Sequence, residues 1–249
     1  MTLLRRTLAA VARRIERPEL LATVYPGARQ ELYEQIGIRT VLASALRRDA
    51  TYVDVGANRG QILREAIRVA PRGRHIIFEP IPSLAADLAR EFSTAECRQM
   101  ALGARRETTQ FCHFRSLDGW SGLRRSRQIS DERGDPEFIE VDVSTLDVEI
   151  GGLVPRVVKI DVEGAELEVI EGGRTLLLEA RPILILEHVA SAAELYGRSS
   201  AELWELLAEL NYELFSVSGD GPFTRAAFCE NRRVVNWLGT PIDEQRVDM

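Results

Sequence analysis

The sequence predicts an α/β fold in which one doubly wound sheet is flanked by helices. Three observations support this prediction. Apolar, β-branched runs alternate along the chain with stretches that have helical spacing. The run at 51–55 passes through a glycine turn directly into a helical pattern, which is the opening unit of a nucleotide-binding sheet. An acidic residue lies at the end of four of the apolar runs, where the carboxyl ends of parallel strands meet.

Composition and charge fit one globular domain and limit its partners. The 249 residues contain 32 Lys and Arg against 38 Asp and Glu, so wholesale binding of nucleic acid is not expected. The three cysteines are widely spaced, which predicts free thiols and a cytoplasmic protein. No apolar run reaches the length of a membrane span. Residues 3–16 place leucines at helical spacing between arginines, which predicts a helix that caps the domain or a basic helix that touches a membrane.

The pattern divides the chain into three parts. Residues 1–50 are predicted to form an N-terminal helical cap that includes a helix over 28–47. Residues 51–239 are predicted to form the sheet domain. Within it, the polar stretch 115–137 is predicted to be a loop or hairpin insert, and residues 240–249 are predicted to be a loose tail.

Strands and helices alternate through the sheet domain. Ser83 is predicted to be the N-cap of a helix over 84–92, and Gly164 to mark the turn into a helix over 165–179. A further helix is predicted over 200–210. Strands are predicted at 51–55, 74–79, 97–102, 109–114, 138–143, 157–160, 183–187, 212–217 and 233–238.

The stretch TYVDVGANRG at 51–60 predicts the class of ligand. A dinucleotide fingerprint has three glycines spaced G-x-G-x-x-G, but Asn58 takes the place of one of them between Gly56 and Gly60. Glu79 ends the second strand of the domain, where an acid accepts hydrogen bonds from both hydroxyls of a ribose. A glycine turn and a ribose acid without a full phosphate cradle favour an adenosine that carries no diphosphate, and S-adenosylmethionine fits. The alternative is a strand, turn and helix that bind no ligand.

Together these motifs resemble the FkbM family of S-adenosylmethionine-dependent methyltransferases. The resemblance implies a Rossmann-like sheet of seven strands, mostly parallel, with one antiparallel strand near the C-terminus. It also implies methyl transfer to a hydroxyl of a sugar, a polyketide or a related small molecule. It extends from about residue 50 to residue 237 and rests on VDVGANRG at 53–60, FEP at 78–80, ALG at 101–103, LD at 146–147, KIDVEGAELEVIEGG at 159–173 and LEH at 186–188.

Carried over to this sequence, the resemblance implies a set of cofactor-binding residues. Glu79 would bind the ribose, and Pro80, Met100 and Ala101 would flank the adenine. Ser121 in the insert would close over cofactor and acceptor. The methionine part of the cofactor would be surrounded by Asp54, Gly56, Ala57, Asn58 and Gly60.

A hydroxyl loses a proton as it attacks a methyl group, so a base is expected at the strand ends. Asp161 is the first candidate because it follows the predicted central strand, and Glu163 and His188 come next. Lys159 lies two residues before Asp161, so both side chains would face the same way in a strand. Lys159 would pair with Asp161 or steer a carboxylate, and the alternative is a buried ion pair without a catalytic role. For His188 the alternative is a loop histidine hydrogen-bonded to a neighbour.

The sequence leaves the metal, the class of function and the acceptor open. Asp161, Glu187 and His188 offer ligands for a hard cation such as Mg²⁺, but their spacing does not demand one. An NAD-linked oxidoreductase is a second class of function, which the missing glycine at position 58 disfavours. A third is a Rossmann-like module that binds a partner without catalysis. The arginines of the insert indicate either an anionic acceptor or a solvated face.

Overall fold

The computed structural model describes residues 26–125 and 134–242. The predicted helix 3–16, part of the insert and most of the tail lie outside these residues, so the division into cap, domain and tail stays a prediction. Among the described helices, none is long and apolar enough to cross a membrane.

The strands confirm the predicted main sheet. Their bounds are β1 (Tyr52–Val55), β2 (His75–Phe78), β3 (Ala95–Arg98), β4 (Ala101–Leu102), β5 (Glu107–Phe114), β6 (Pro136–Ser144), β7 (Val157–Ile160), β8 (Ile183–Glu187), β9 (Tyr212–Ser216) and β10 (Asn236–Pro241). Seven of them form one sheet in the order β3-β2-β1-β7-β8-β10-β9. Strands β3, β2, β1, β7 and β8 are parallel, whereas β10 is antiparallel to both of its neighbours. The last strand ends at Pro241, two residues inside the predicted tail.

The prediction of a single sheet was wrong, because three strands form a second sheet in the order β4-β6-β5. Strands β5 and β6 pair antiparallel from Glu107 opposite Val143 to Phe114 opposite Pro136, and the insert connects them. Phe111 of β5 packs against Ile81 in an apolar cluster, so the small sheet is attached beside the end of β2. Local periodicity identifies extended residues, but it does not reveal which strands pair over a long separation.

The helices alternate with the strands as predicted, with two corrections. Their bounds are α1 (Pro26–Ala45), α2 (Gln61–Val69), α3 (Pro82–Glu91), α4 (Leu146–Ile150), α5 (Glu166–Glu171), α6 (Arg174–Ala180), α7 (Ala190–Ala193), α8 (Ser200–Glu209) and α9 (Arg225–Glu230). The helix predicted over 165–179 is the pair α5 and α6. The helix is interrupted between Glu171 and Arg174. Gly172 lies there against another loop, and a Cβ at that position would lie 2.1 Å from the carbonyl oxygen of Gly103.

The predicted N-cap at Ser83 was also wrong. Helix α3 begins at Pro82, and Ile81 is the residue before its first turn. Proline is well suited to the first turn because it lacks the N–H that would have no partner there. The backbone N–H of Ile81 is instead bound by the side chain of Glu79, at 2.9 Å. The carboxylate of Glu79, at the end of β2, therefore fixes the backbone just before the first turn of α3.

The hydrophobic core packs around the central strands of the main sheet, and the strand order locates the sheet edge at which the functional residues lie. Two large apolar clusters contain side chains of the central strands, with Val55 and Ile160 in one and Tyr52 and Ile185 in the other. The strand order changes direction between β1 and β7, which are neighbours in the sheet. In open α/β sheets a crevice forms at such a switch point, outside the carboxyl ends of the strands.

Candidate cofactor and active site

A cleft opens at this switch point. Its walls are the segments that follow β1, β2 and β7, together with the insert after β5. The predicted bases Asp161 and Glu163 both line it. The predicted cofactor-binding residues that line it are Gly56, Asn58, Glu79, Pro80, Met100, Ala101 and Ser121.

The turn after β1, residues 56–60, shapes the floor of the cleft. Gly56 has φ 79°, and a Cβ there would lie 1.9 Å from the carbonyl oxygen of Asp161. Only glycine lets this turn lie against the turn after β7. Gly60 has φ 69° at the start of α2, where a Cβ would lie 2.5 Å from the ring of Phe92. Gly60 therefore serves the packing of α2, and neither it nor the buried Ala57 lines the cleft.

Glu79 connects the turn after β1 to the segment after β2. It is 3% exposed, and its two carboxylate oxygens accept the backbone N–H of Asn58 at 2.8 Å and that of Ile81 at 2.9 Å. Burial raises the pKa of Glu79 to about 7, although these two hydrogen bonds oppose the shift. Each oxygen retains a lone pair, so the carboxylate can still accept hydrogen bonds from a ligand in the cleft.

Asp54 and Lys159 form a buried ion pair beside the cleft. The Lys159 Nζ lies 3.2 Å from Asp54 Oδ1 and 3.1 Å from Asp161 Oδ2, so the predicted pairing of Lys159 with Asp161 is present. Asp54 is 1% exposed and also accepts the hydroxyl of Tyr52 at 3.0 Å. Burial alone would lower the pKa of Lys159, but the charges of Asp161 and Asp54 outweigh it and raise the pKa above its usual value. Neither Asp54 nor Lys159 lines the cleft.

Three carboxylates converge where β7 and β8 end. Asp161, Glu163 and Glu187 each place one oxygen within 4.8 Å of the others, and we call them the carboxylate cluster. Burial, followed by the charges of Asp161 and Glu187, raises the pKa of Glu163 to about 9. The charge of Asp161, followed by burial, raises the pKa of Glu187 to about 8. Glu163 also has φ 54°, an uncommon conformation for a residue with a side chain.

His188 is not part of this cluster. It is 6% exposed, its Nε2 lies 2.8 Å from Ser200 Oγ, and its Nδ1 lies 3.5 Å from Glu166 Oε2. Its ring stacks on Phe228, with 5.5 Å between the ring centroids. The structure therefore places His188 as a histidine bound to its neighbours outside the cleft. In the possible metal set, Glu163 stands where His188 was predicted.

Sequence reasoning missed the insert residue Asp118. It lines the cleft, forms an ion pair with Arg59 of the turn after β1, and lies 3.3 Å from the Nε2 of His113. The two partners of the ion pair are 59 residues apart. No local pattern could have indicated this contact, because the insert has no periodicity and its approach to the turn depends on the second sheet.

The strand order and the glycine turn after β1 define the fold as Rossmann-like. The chain matches the model of the methyltransferase FkbM domain over residues 54–214. It therefore belongs to the FkbM methyltransferase family, whose members use S-adenosylmethionine. No curated protein matches the chain.

Solved structures of methyltransferases are similar to this chain at low identity. One is the methyltransferase FkbM from Methylobacillus flagellatus KT, with a TM-score of 0.49 and 19% identity over 78% of this chain and 44% of that one. A TehB-like S-adenosylmethionine-dependent methyltransferase from Corynebacterium glutamicum has a TM-score of 0.47 and 13% identity, over 86% and 99%. A putative rRNA methylase from Clostridium thermocellum has a TM-score of 0.47 and 8% identity, over 83% and 94%.

Proposed function

We propose that this protein transfers the methyl group of S-adenosylmethionine to a hydroxyl of a small molecule, such as a sugar, a polyketide or a related compound. The observation that carries the proposal is the charge of the cleft. Among the described lining residues, every side chain of an acidic or basic residue is a carboxyl group: Glu79, Asp118, Asp161 and Glu163. S-adenosylmethionine carries a sulfonium and an ammonium against one carboxylate, so its net charge complements this lining.

The carboxylates of the cleft disfavour NAD as the cofactor and RNA as the acceptor. NAD carries a pyrophosphate, which these carboxylates would repel, and Asn58 takes the place of a glycine of the phosphate cradle. An RNA acceptor would bring phosphates to the same wall. A neutral hydroxyl compound meets no such repulsion, so it is the acceptor class that we propose.

The lining residues fit the parts of the cofactor. Glu79 can accept the ribose hydroxyls, and the apolar side chains of Ile81, Met100 and Phe111, which line the same cleft, suit an adenine ring. The turn after β1 and the carboxylates Asp161 and Glu163 remain for the methionine part and the acceptor. This division agrees with the family resemblance for Glu79 and Met100.

Glu163 is our candidate base. The acceptor oxygen attacks the methyl carbon, the carbon–sulfur bond breaks, sulfur keeps the electron pair as a neutral thioether, and the hydroxyl proton passes to a carboxylate. Asp161 is paired with Lys159, whereas Glu163 has no side-chain hydrogen bond among the described residues. Next to a bound sulfonium, the pKa of Glu163 would be lower than its raised value, and the ionised form would be available to accept the proton.

A divalent cation would find hard oxygen ligands in the carboxylate cluster. It would supply Lewis-acid activation of the acceptor hydroxyl. The proposal does not depend on it, because Glu163 lines the cleft and can accept the proton without a cation.

The ribose assignment makes Glu79→Gln the informative change. We expect affinity for S-adenosylhomocysteine to fall by about 2 kcal/mol, since charge-assisted hydrogen bonds to the hydroxyls are lost. The pKa of Glu79 is about 7, and its ionised form is the better acceptor. Wild-type affinity should therefore rise as the pH rises from 6 to 8, and this rise should be absent in the variant. Calorimetry over that pH range measures both affinities, and thermal unfolding checks that the variant folds. Equal affinities of wild type and variant, with parallel pH profiles, would contradict the ribose assignment.

The proposal is tested by following the methyl group. Methyl-labelled S-adenosylmethionine should label compounds from a panel of sugar and polyketide alcohols, and NMR of the product should locate the label on an ether oxygen. A label found on nitrogen, carbon or RNA would contradict the proposed acceptor class.

A further inference from the structure

We propose that Asp118 binds the ammonium group at the amino-acid end of the cofactor. The inference rests on the proposed function and names a binding residue that neither the motifs nor the family resemblance indicated. Asp118 begins the 3₁₀ helix Asp118–Trp120 in the insert. Together with Gly119, Ser121 and Leu123, it forms the part of the cleft wall that the insert supplies.

The position of Asp118 is fixed by two contacts. Its Oδ2 accepts a hydrogen bond from Nη2 of Arg59, and its Oδ1 lies 3.3 Å from Nε2 of His113. Because Arg59 belongs to the turn after β1, the ion pair holds the carboxylate on the side of the cleft where that turn lies. The side chain of Asp118 is 13% exposed, and the cleft is where it meets a ligand.

The other carboxylates are less suited to this role. Asp54 would be expected near the methionine part, but it is 1% exposed, bound by Tyr52 and Lys159, and absent from the cleft wall. Glu79 accepts two backbone amides at the end of β2, and Asp161 is paired with the buried Lys159. Arg59, the partner of Asp118, has a side chain that is 63% exposed, so solvent screens its charge. Asp118 is thus the lining carboxylate that remains beside the turn after β1 once Glu163 is assigned to the acceptor.

The chemistry of the two groups is complementary. A carboxylate offers about four lone-pair sites, and the described partners of Asp118 engage one on each oxygen. An ammonium group brings three donors and a full positive charge. Hydrogen bonds between such ionised partners are about twice as strong as neutral ones.

Two ligands that differ only at the amino-acid end test the assignment. S-adenosylhomocysteine has this end, and 5′-methylthioadenosine lacks it. Calorimetry should show that Asp118→Asn weakens S-adenosylhomocysteine about tenfold and leaves 5′-methylthioadenosine unchanged. Asp118→Ser, a second neutral side chain, should show the same selectivity, and thermal unfolding checks that both variants fold.

Asp135→Asn is the matched control. Asp135 also lies in the insert and pairs with an arginine, Arg115, but it does not line the cleft. Both affinities should be unchanged in this variant. Equal weakening of both ligands by Asp118→Asn would overturn the inference, because Asp118 would then only hold the insert in place, and so would no weakening at all. Wild-type protein that binds neither ligand would contradict the proposed function itself.

Discussion

Glu163→Gln should lower the turnover number by roughly 10²–10⁴-fold while it leaves the affinity for S-adenosylhomocysteine nearly unchanged. The amide keeps the size of the side chain and its place in the cleft wall, but it cannot take the proton of the acceptor hydroxyl. Initial rates with an acceptor identified by the labelling experiment, combined with calorimetry, separate these two effects. Loss of binding together with turnover would indicate that Glu163 holds the cofactor instead.

Glu187→Gln is the control for the base. Glu187 belongs to the carboxylate cluster but does not line the cleft. Its charge contributes to the raised pKa of Glu163, so its removal should shift the pH–rate profile to lower pH without the large loss of turnover. Full activity of Glu163→Gln, with a large loss in Asp161→Asn, would return the role of base to Asp161.

Lys159→Met should lower the free energy of unfolding by about 3–5 kcal/mol. The substitution leaves Asp54 buried at 1% exposure without its counter-ion, and an uncompensated buried carboxylate is costly. Equilibrium unfolding in urea measures the loss. The double variant Lys159→Met with Asp54→Asn should recover part of it, because the buried charge is then gone. A loss below about 1 kcal/mol would show that the pair contributes little to stability.

The sequence indicated the fold because local patterns encode it. Buried apolar runs such as 157–160 predict parallel strands, and Gly56 predicts the turn that leads into α2. The acids Glu79 and Asp161 were found at the sheet edge because each directly follows a buried strand. Their convergence follows from the parallel arrangement, which brings all the carboxyl ends to one edge.

The contacts among these residues could not be predicted from local patterns. His188 follows a buried strand just as Asp161 does, but it turns to Ser200 and Glu166. Asp54 precedes the glycine turn, but Lys159 holds it beneath the cleft surface. Asp118 approaches Arg59 only because the second sheet carries the insert there. The partners lie between 12 and 105 residues away in the chain, beyond the range over which local periodicity and spacing carry information.

The most direct test of the central claim is calorimetric titration of the wild-type protein with S-adenosylhomocysteine and, separately, with NAD. We predict a single site for S-adenosylhomocysteine with a dissociation constant in the micromolar range and no measurable heat with NAD. Repeating the titration with a chelator shows whether a cation at the carboxylate cluster contributes. Binding of NAD, or a well-folded protein that binds neither ligand, would contradict the assignment of the cleft as a site for S-adenosylmethionine.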